Sequence, residues 1–246
     1  MEMIIVVFLG LAIGSFLNVL IIRIPKEESV AFPASHCVKC NESLKWYHNI
    51  PLFSWLALGG KCSYCKEKIS IQYPLIEFGT MVIFILCYLK LGDLVQGLLT
   101  AGVFSMLLAM SMIDFKFKVA PDSLNLLALT LAIFAGFSAF TIFSNLTNAL
   151  LFAGGFSLLR FYLSYLLQKE ALGEADIMIA GTMGALLGLK LGAFAIFLSA
   201  ILALPIFILI KEKDLQVPYI PFLALATFLV FLFNNQAELF LKSIYG

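Results

Sequence analysis

Charge is what this chain is short of. Only 13% of its residues are Asp, Glu, Lys or Arg, about half the share a soluble domain carries. The two signs nearly cancel, leaving a formal net charge of +1, so nothing draws the whole molecule toward nucleic acid. Ten-residue stretches of alternating polarity are missing, which excludes a closed β-barrel. There is no convincing internal repeat and no low-complexity linker. A basic stretch ahead of the first apolar run is missing too. The start, "MEMIIVVFLGLAIGSFLNVLIIRIP", is acidic and its apolar run is too long for a cleaved signal, so it reads as a membrane helix that stays.

What fills the chain instead is apolar. Hydrophobic residues make up 62% and mean hydropathy is +1.01. Long apolar runs recur at 4–22, 75–91, 94–113, 123–142, 146–167, 176–189, 191–210 and 217–240. Helices are the default for such runs, because in lipid each backbone group needs an internal partner. The expected fold class is all-α: a polytopic membrane protein of about eight transmembrane helices. The expected division is a first helix at 1–23, a soluble insertion at 24–73, and a membrane domain at 74–246.

Basic residues set the orientation. With the insertion in the cytoplasm, that side holds Arg23, Lys26, Lys39, Lys45, Lys61, Lys66, Lys68, Lys116, Lys118, Arg160, Lys169, Lys211 and Lys213. The far side holds Lys90, Lys190 and Lys242, a ratio of 13 to 3.

The insertion carries Cys37, Cys40, Cys62 and Cys65 as C-x2-C-x21-C-x2-C. Each C-x2-C turn can present two thiolates to one ion, and the stretch between folds back to bring the pairs together. This suits a tetrahedral, structural zinc. So small a module has little core of its own without metal, and the cytoplasmic side disfavours disulfides. His36 and His48 are surplus to a filled coordination sphere. Cys87, alone in an apolar run, reads as a small buried hydrophobe.

Carboxylates at membrane depth are costly and mark function. Glu77, Asp114, Asp122, Glu174 and Asp176 are the instances. Asp114 ends one span and Asp176 begins another, both at the cytoplasmic edge, so the two could face each other. A facing pair shares one proton, and its ionised member can activate water while its protonated member polarises a carbonyl. Each could equally be a helix-end residue. For Asp122, between Pro121 and "SLNLL", capping is the better reading, and Asp176 after Gly173 could also cap. Glu42 and Glu77 are polar candidates near the module, or partners for neighbouring lysines. No glycine-rich nucleotide loop is present, and the two glycines of "GLAIGSFLN" read as close helix packing.

Together these segments resemble the bacterial type IV prepilin peptidases, a family of aspartic membrane proteases that also methylate their products. The resemblance covers most of the chain. It is carried by "GLAIGSFLNVLIIRIP" with Gly14, Ser15, Asn18, Arg23 and Pro25, and by "FPASHCVKC", "NIPLFSWLALGGKCSYCKEKIS", "QYPLIE", "IDFKFKVAPD", "GEADIM" and "VPYIPFLALATFL". It implies catalytic roles for Asp114 and Asp176, and a cytoplasmic zinc domain tied to methylation. It implies cleavage of prepilins or pseudopilins after Gly, followed by N-methylation of the new terminus from S-adenosylmethionine. The implied location is the bacterial inner membrane, multi-pass, with the active site facing the cytoplasm. Ala175 stands where the family's G-x-G-D-x-K motif usually has Gly, and Met178 where it often has Lys. Two other readings stay open: a peptidase without methyltransferase activity, and a non-catalytic zinc-stabilised membrane scaffold.

Overall fold

The computed structural model describes residues 1–136, 138–169, 173–209 and 218–245. Lys211 and Lys213, counted above on the cytoplasmic side, lie outside the described residues. Among those described the regular structure is helical, and the cysteine module is mostly turns and loops with isolated β-bridges.

Helix α1 (Glu2–Arg23) has 22 residues, about 33 Å at helical rise, enough to cross a bilayer core. A short helix α2 (Phe53–Ala57) lies in the module. Then α3 (Gln72–Leu91) and α4 (Leu94–Phe117) form an antiparallel pair. Their turn is written locally: Gly92 ends α3 at φ 70, and the Asp93 carboxylate accepts the Gln96 N–H at 2.8 Å to start α4. Next come α5 (Asp122–Ile133), α6 (Ala139–Leu167), α7 (Glu174–Leu209), α8 (Ile220–Leu232) and α9 (Asn234–Tyr245).

The packing is centred on α4. Of its most apolar stretch 61% is buried, against 6% for α6, whose apolar side chains face outward. The Phe104 ring of α4 meets Phe228 and Phe231 of α8 at 4.9 and 5.2 Å. Helix α1 lies against α3 with almost no separation. A Cβ on Gly10 would sit 2.8 Å from the Met81 Cα, and one on Gly14 would sit 2.7 Å from the Glu77 Cα. The two glycines of "GLAIGSFLN" are therefore packing residues, as their apolar setting suggested.

The expected count of about eight spans is not confirmed. Among the described residues, five helices are long and apolar enough to cross a membrane, or six if α8 and α9 are one span broken by a 90° bend. Two differences account for this. The 123–142 run contains α5, which is only 12 residues long, and α6 already begins at Ala139. The 176–189 run and the described part of the 191–210 run are two helical arms of α7 that meet in a kink at Gly188 (φ 72, ψ −179), a backbone state that favours glycine. Cβ positions on Gly184 and Gly192 would each lie 2.7 Å from the one Phe152 ring, whereas eight residues of straight helix rise about 12 Å. The axis therefore bends hard at Gly188, and both arms of α7 touch one α6 side chain. At the α8–α9 bend, Lys90 of α3 donates to the Leu232 carbonyl (2.9 Å) and Asn234 Oδ1 (2.7 Å).

Candidate functional site

The four cysteines converge. Their sulfurs all lie within 4.8 Å of one another, and Cys37 Sγ is 3.8 Å from Cys65 Sγ. Tetrahedral metal–sulfur bonds of about 2.3 Å separate two sulfurs by about 3.8 Å, so the donor set can hold a metal ion. The geometry comes from a local pattern used twice. The Cys37 N–H donates to the Glu42 carbonyl and the Asn41 N–H to the Cys37 carbonyl; the Cys62 N–H donates to Glu67 and the Lys66 N–H to Cys62. Asn41 and Lys66 both turn the chain in the left-handed region, at φ 57 and 60. Bridges His36–Ser43 and Lys61–Lys68 close the two loops. "HCVKCNES" and "KCSYCKEK" are thus one knuckle repeated, a correspondence the sequence reading did not register. The backbone N–H groups of Cys40 and Lys39 pull the Cys37 thiol down to about 6. Cys65 differs: the Glu67 N–H favours its thiolate, but lost hydration and the three neighbouring sulfurs push it up to about 11. His36 and His48 lie outside the sulfur cluster, and Cys87 is fully buried in α3.

Asp114 lies one turn before the end of α4 and is 9% exposed. Its Oδ2 accepts the Ile220 N–H at 3.2 Å. That N–H is free because it belongs to the first turn of α8, where no intrahelical acceptor exists. Asp176 is the third residue of α7. It reaches back to the Gly173 N–H, and the charge of Asp114 acts on it. The charge of Asp114, near the C-terminal end of α4, thus bears on Asp176, 62 positions away in sequence at the N-terminal end of α7. The expected cap at Asp122 is not formed: α5 has Pro121 at its cap position and no side-chain cap bond. Asp122 instead sits in the first turn, where a carboxylate suits the positive end of the helix. Glu174 pairs with Arg160 at 3.1 Å.

Several residues carry more of the site than their sequence pattern announced. Glu77, 7% exposed, accepts the Leu52 N–H at 2.7 Å and lies within electrostatic reach of the Ser15 hydroxyl. It therefore ties α1, α3 and the module together, and the lysine partner considered for it, as for Glu42, is not formed among the described residues. Leu52 itself has φ 61, ψ −50, a strained state for a branched side chain. Asn125 is fully buried in α5, and neither polar atom of its amide has a partner among the described residues. The signal for Asn125 was an amide amid "SLNLL"; for Leu52 there was none.

Residues 8–91 match the bacterial peptidase A24 N-terminal domain, and residues 101–208 match the type IV leader peptidase family. A Xanthomonas campestris protein named prepilin leader peptidase/N-methyltransferase is 33% identical over 261 residues, covering 93% of this chain and 90% of its own. The chain belongs to the type IV leader peptidase family. A Myxococcus xanthus family member of the same name is 36% identical over 183 residues; the match takes in 73% of this chain and 54% of that protein. An Escherichia coli member, named type 4 prepilin-like proteins leader peptide-processing enzyme, is 34% identical over 200 residues, 73% of this chain and 74% of its own. No solved structure gives a significant match.

Proposed function

We propose that this chain cleaves the leader peptides of type IV prepilins or pseudopilins at the edge of the bacterial inner membrane, and N-methylates the new terminus. The reading is supported by one feature above all: the charge of Asp114 on α4 bears on Asp176 on α7. In the proposed chemistry the pair holds one proton. The ionised carboxylate takes a proton from water, whose oxygen attacks the scissile carbonyl. The protonated carboxylate donates to the carbonyl oxygen, and the amine leaves with a proton returned by the pair. Asp114 is held by an α8 N–H and Asp176 by the Gly173 N–H.

The four sulfurs suit zinc, which would hold the two knuckles together and so shape the module. Zinc here is structural, since four thiolates complete its coordination. S-Adenosylmethionine supplies the methyl group. The module, residues 24–73, lies on the cytoplasmic side, as the lysine distribution supports, and the 74–246 segment forms the peptidase domain.

Incubating the purified, zinc-loaded chain with a synthetic prepilin N-terminus and S-adenosylmethionine tests this, with the product weighed. Wild type yields the shortened, singly methylated product. Asp114→Asn and Asp176→Asn each lose about 100-fold or more of the cleavage rate, as removal of a general acid or base does. Cleavage by Asp176→Asn at the wild-type rate refutes the pair. Cleavage without added mass leaves a peptidase that does not methylate.

A further inference from the structure

Between the module end of α1, the start of α3, the last turn of α4 and the cysteine module lies a cavity of about 870 Å³. That is within the range of sites for ligands the size of a nucleoside. We infer that this cavity binds the methyl donor S-adenosylmethionine, with the Glu77 carboxylate facing its sulfonium. The inference rests on the methyltransferase reading above and adds a location and a charge partner to it.

Three features of the cavity lead there. The first is an unmatched charge. Glu77 lines the cavity, is nearly buried, and has no cationic partner among the described residues. A buried carboxylate held by neutral donors alone still favours a cation. A sulfonium is a cation with no proton to donate, so only charge and aromatic faces can recognise it. Trp55 and Tyr73 line the same cavity. The second is strain: the peptide N–H that Glu77 accepts belongs to Leu52, whose positive φ is a state that persists where the surroundings over-determine it, commonly at ligand sites. The third is the link to cleavage. Lys116, two residues after Asp114 on α4, bonds to Gln72 Oε1, and Gln72 Nε2 donates to Asn18 Oδ1 at 3.4 Å. This polar wall joins the cavity to the helix that carries Asp114, so an amine freed there emerges beside the donor.

The transfer balances without a further reagent. The neutral α-amine uses its lone pair to form the N–C bond, and the C–S bond breaks. The electron pair stays on sulfur as neutral S-adenosylhomocysteine, and the ammonium proton goes to water. Glu77 therefore faces a charge in the donor that the product lacks, and this difference can be measured.

Isothermal titration of the full-length, metal-loaded protein in detergent, with S-adenosylmethionine and separately S-adenosylhomocysteine, tests the assignment. Glu77→Gln is expected to raise the Kd of the sulfonium donor about tenfold and that of the neutral thioether less than about twofold. Val19→Trp, which fills the cavity from α1, is expected to weaken both about tenfold or more. If wild type binds both ligands and neither variant changes either Kd, the donor site is elsewhere and the inference falls while the methyltransferase reading stands. Equal weakening of both ligands by Glu77→Gln overturns the charge role. A wild type that binds neither ligand overturns the methyltransferase reading itself.

Discussion

Replacing Gly14 by alanine asks the α1–α3 seam to accept one carbon it has no room for. The added Cβ would lie 2.7 Å from the Glu77 Cα, whereas two carbons pack at about 3.5–4.0 Å. The obstructing atom is backbone, so no rotamer change relieves it, and α1 must retreat by about 1 Å. Overpacking of this kind costs about 1–3 kcal/mol. At about 2–4 °C per kcal/mol for a chain of this size, the thermal midpoint in detergent falls by several degrees. Retreat also draws Ser15 away from Glu77, so donor affinity falls with it. Gly79, on the same α3 helix, is the internal control, since a Cβ there meets nothing within 4 Å. Gly79→Ala gains up to about 0.5–1 kcal/mol of helix propensity and leaves the midpoint level or higher. Differential scanning fluorimetry of the two variants side by side decides the matter. If Gly14→Ala melts no lower than Gly79→Ala, the close approach of α1 and α3 is wrong.

Both tryptophans of the chain, Trp46 and Trp55, lie in the cysteine module, so stripping the metal with a chelator shifts tryptophan emission to the red and re-adding zinc reverses it. Unchanged emission after elemental analysis shows the metal gone would mean the module folds without it. In stripped protein at pH 7, Cys37, held down to about 6, is mostly thiolate, while Cys65, pushed up to about 11, is not. Brief iodoacetamide treatment followed by peptide mass spectrometry should find Cys37 alkylated about tenfold faster or more; equal rates contradict the knuckle geometry. Asn125→Leu removes two buried polar atoms with no partner among the described residues. Each such group costs about 1–3 kcal/mol, so the midpoint rises, and a fall would show that the amide is partnered.

Much of this protein is local, and what is local can be read from the chain alone. Transfer energy of apolar side chains marks the membrane segments. The C-x2-C spacing brings two sulfurs to one turn before anything else folds, and the turn residues that follow complete each knuckle. "GEADIM" and "IDFKFKVAPD" mark the acids worth testing, because a carboxylate at membrane depth stands out against its neighbours. The tertiary structure decided what depends on contacts between distant segments. Hydropathy reports that residues 176–210 prefer lipid, but not that two helical arms meet in a kink at Gly188 beside Phe152, nor that the 123–142 run holds a helix of only 12 residues. It gives no means of placing Asp114 against the first turn of α8, since that bond joins residues 106 positions apart. Glu77 shows the difference most clearly. In sequence it is one acid at the head of an apolar run. In the fold, the closeness of α1 at Gly14 and the return of Leu52 from the module make it the buried floor of a cavity, because packing, not composition, sets which surfaces meet.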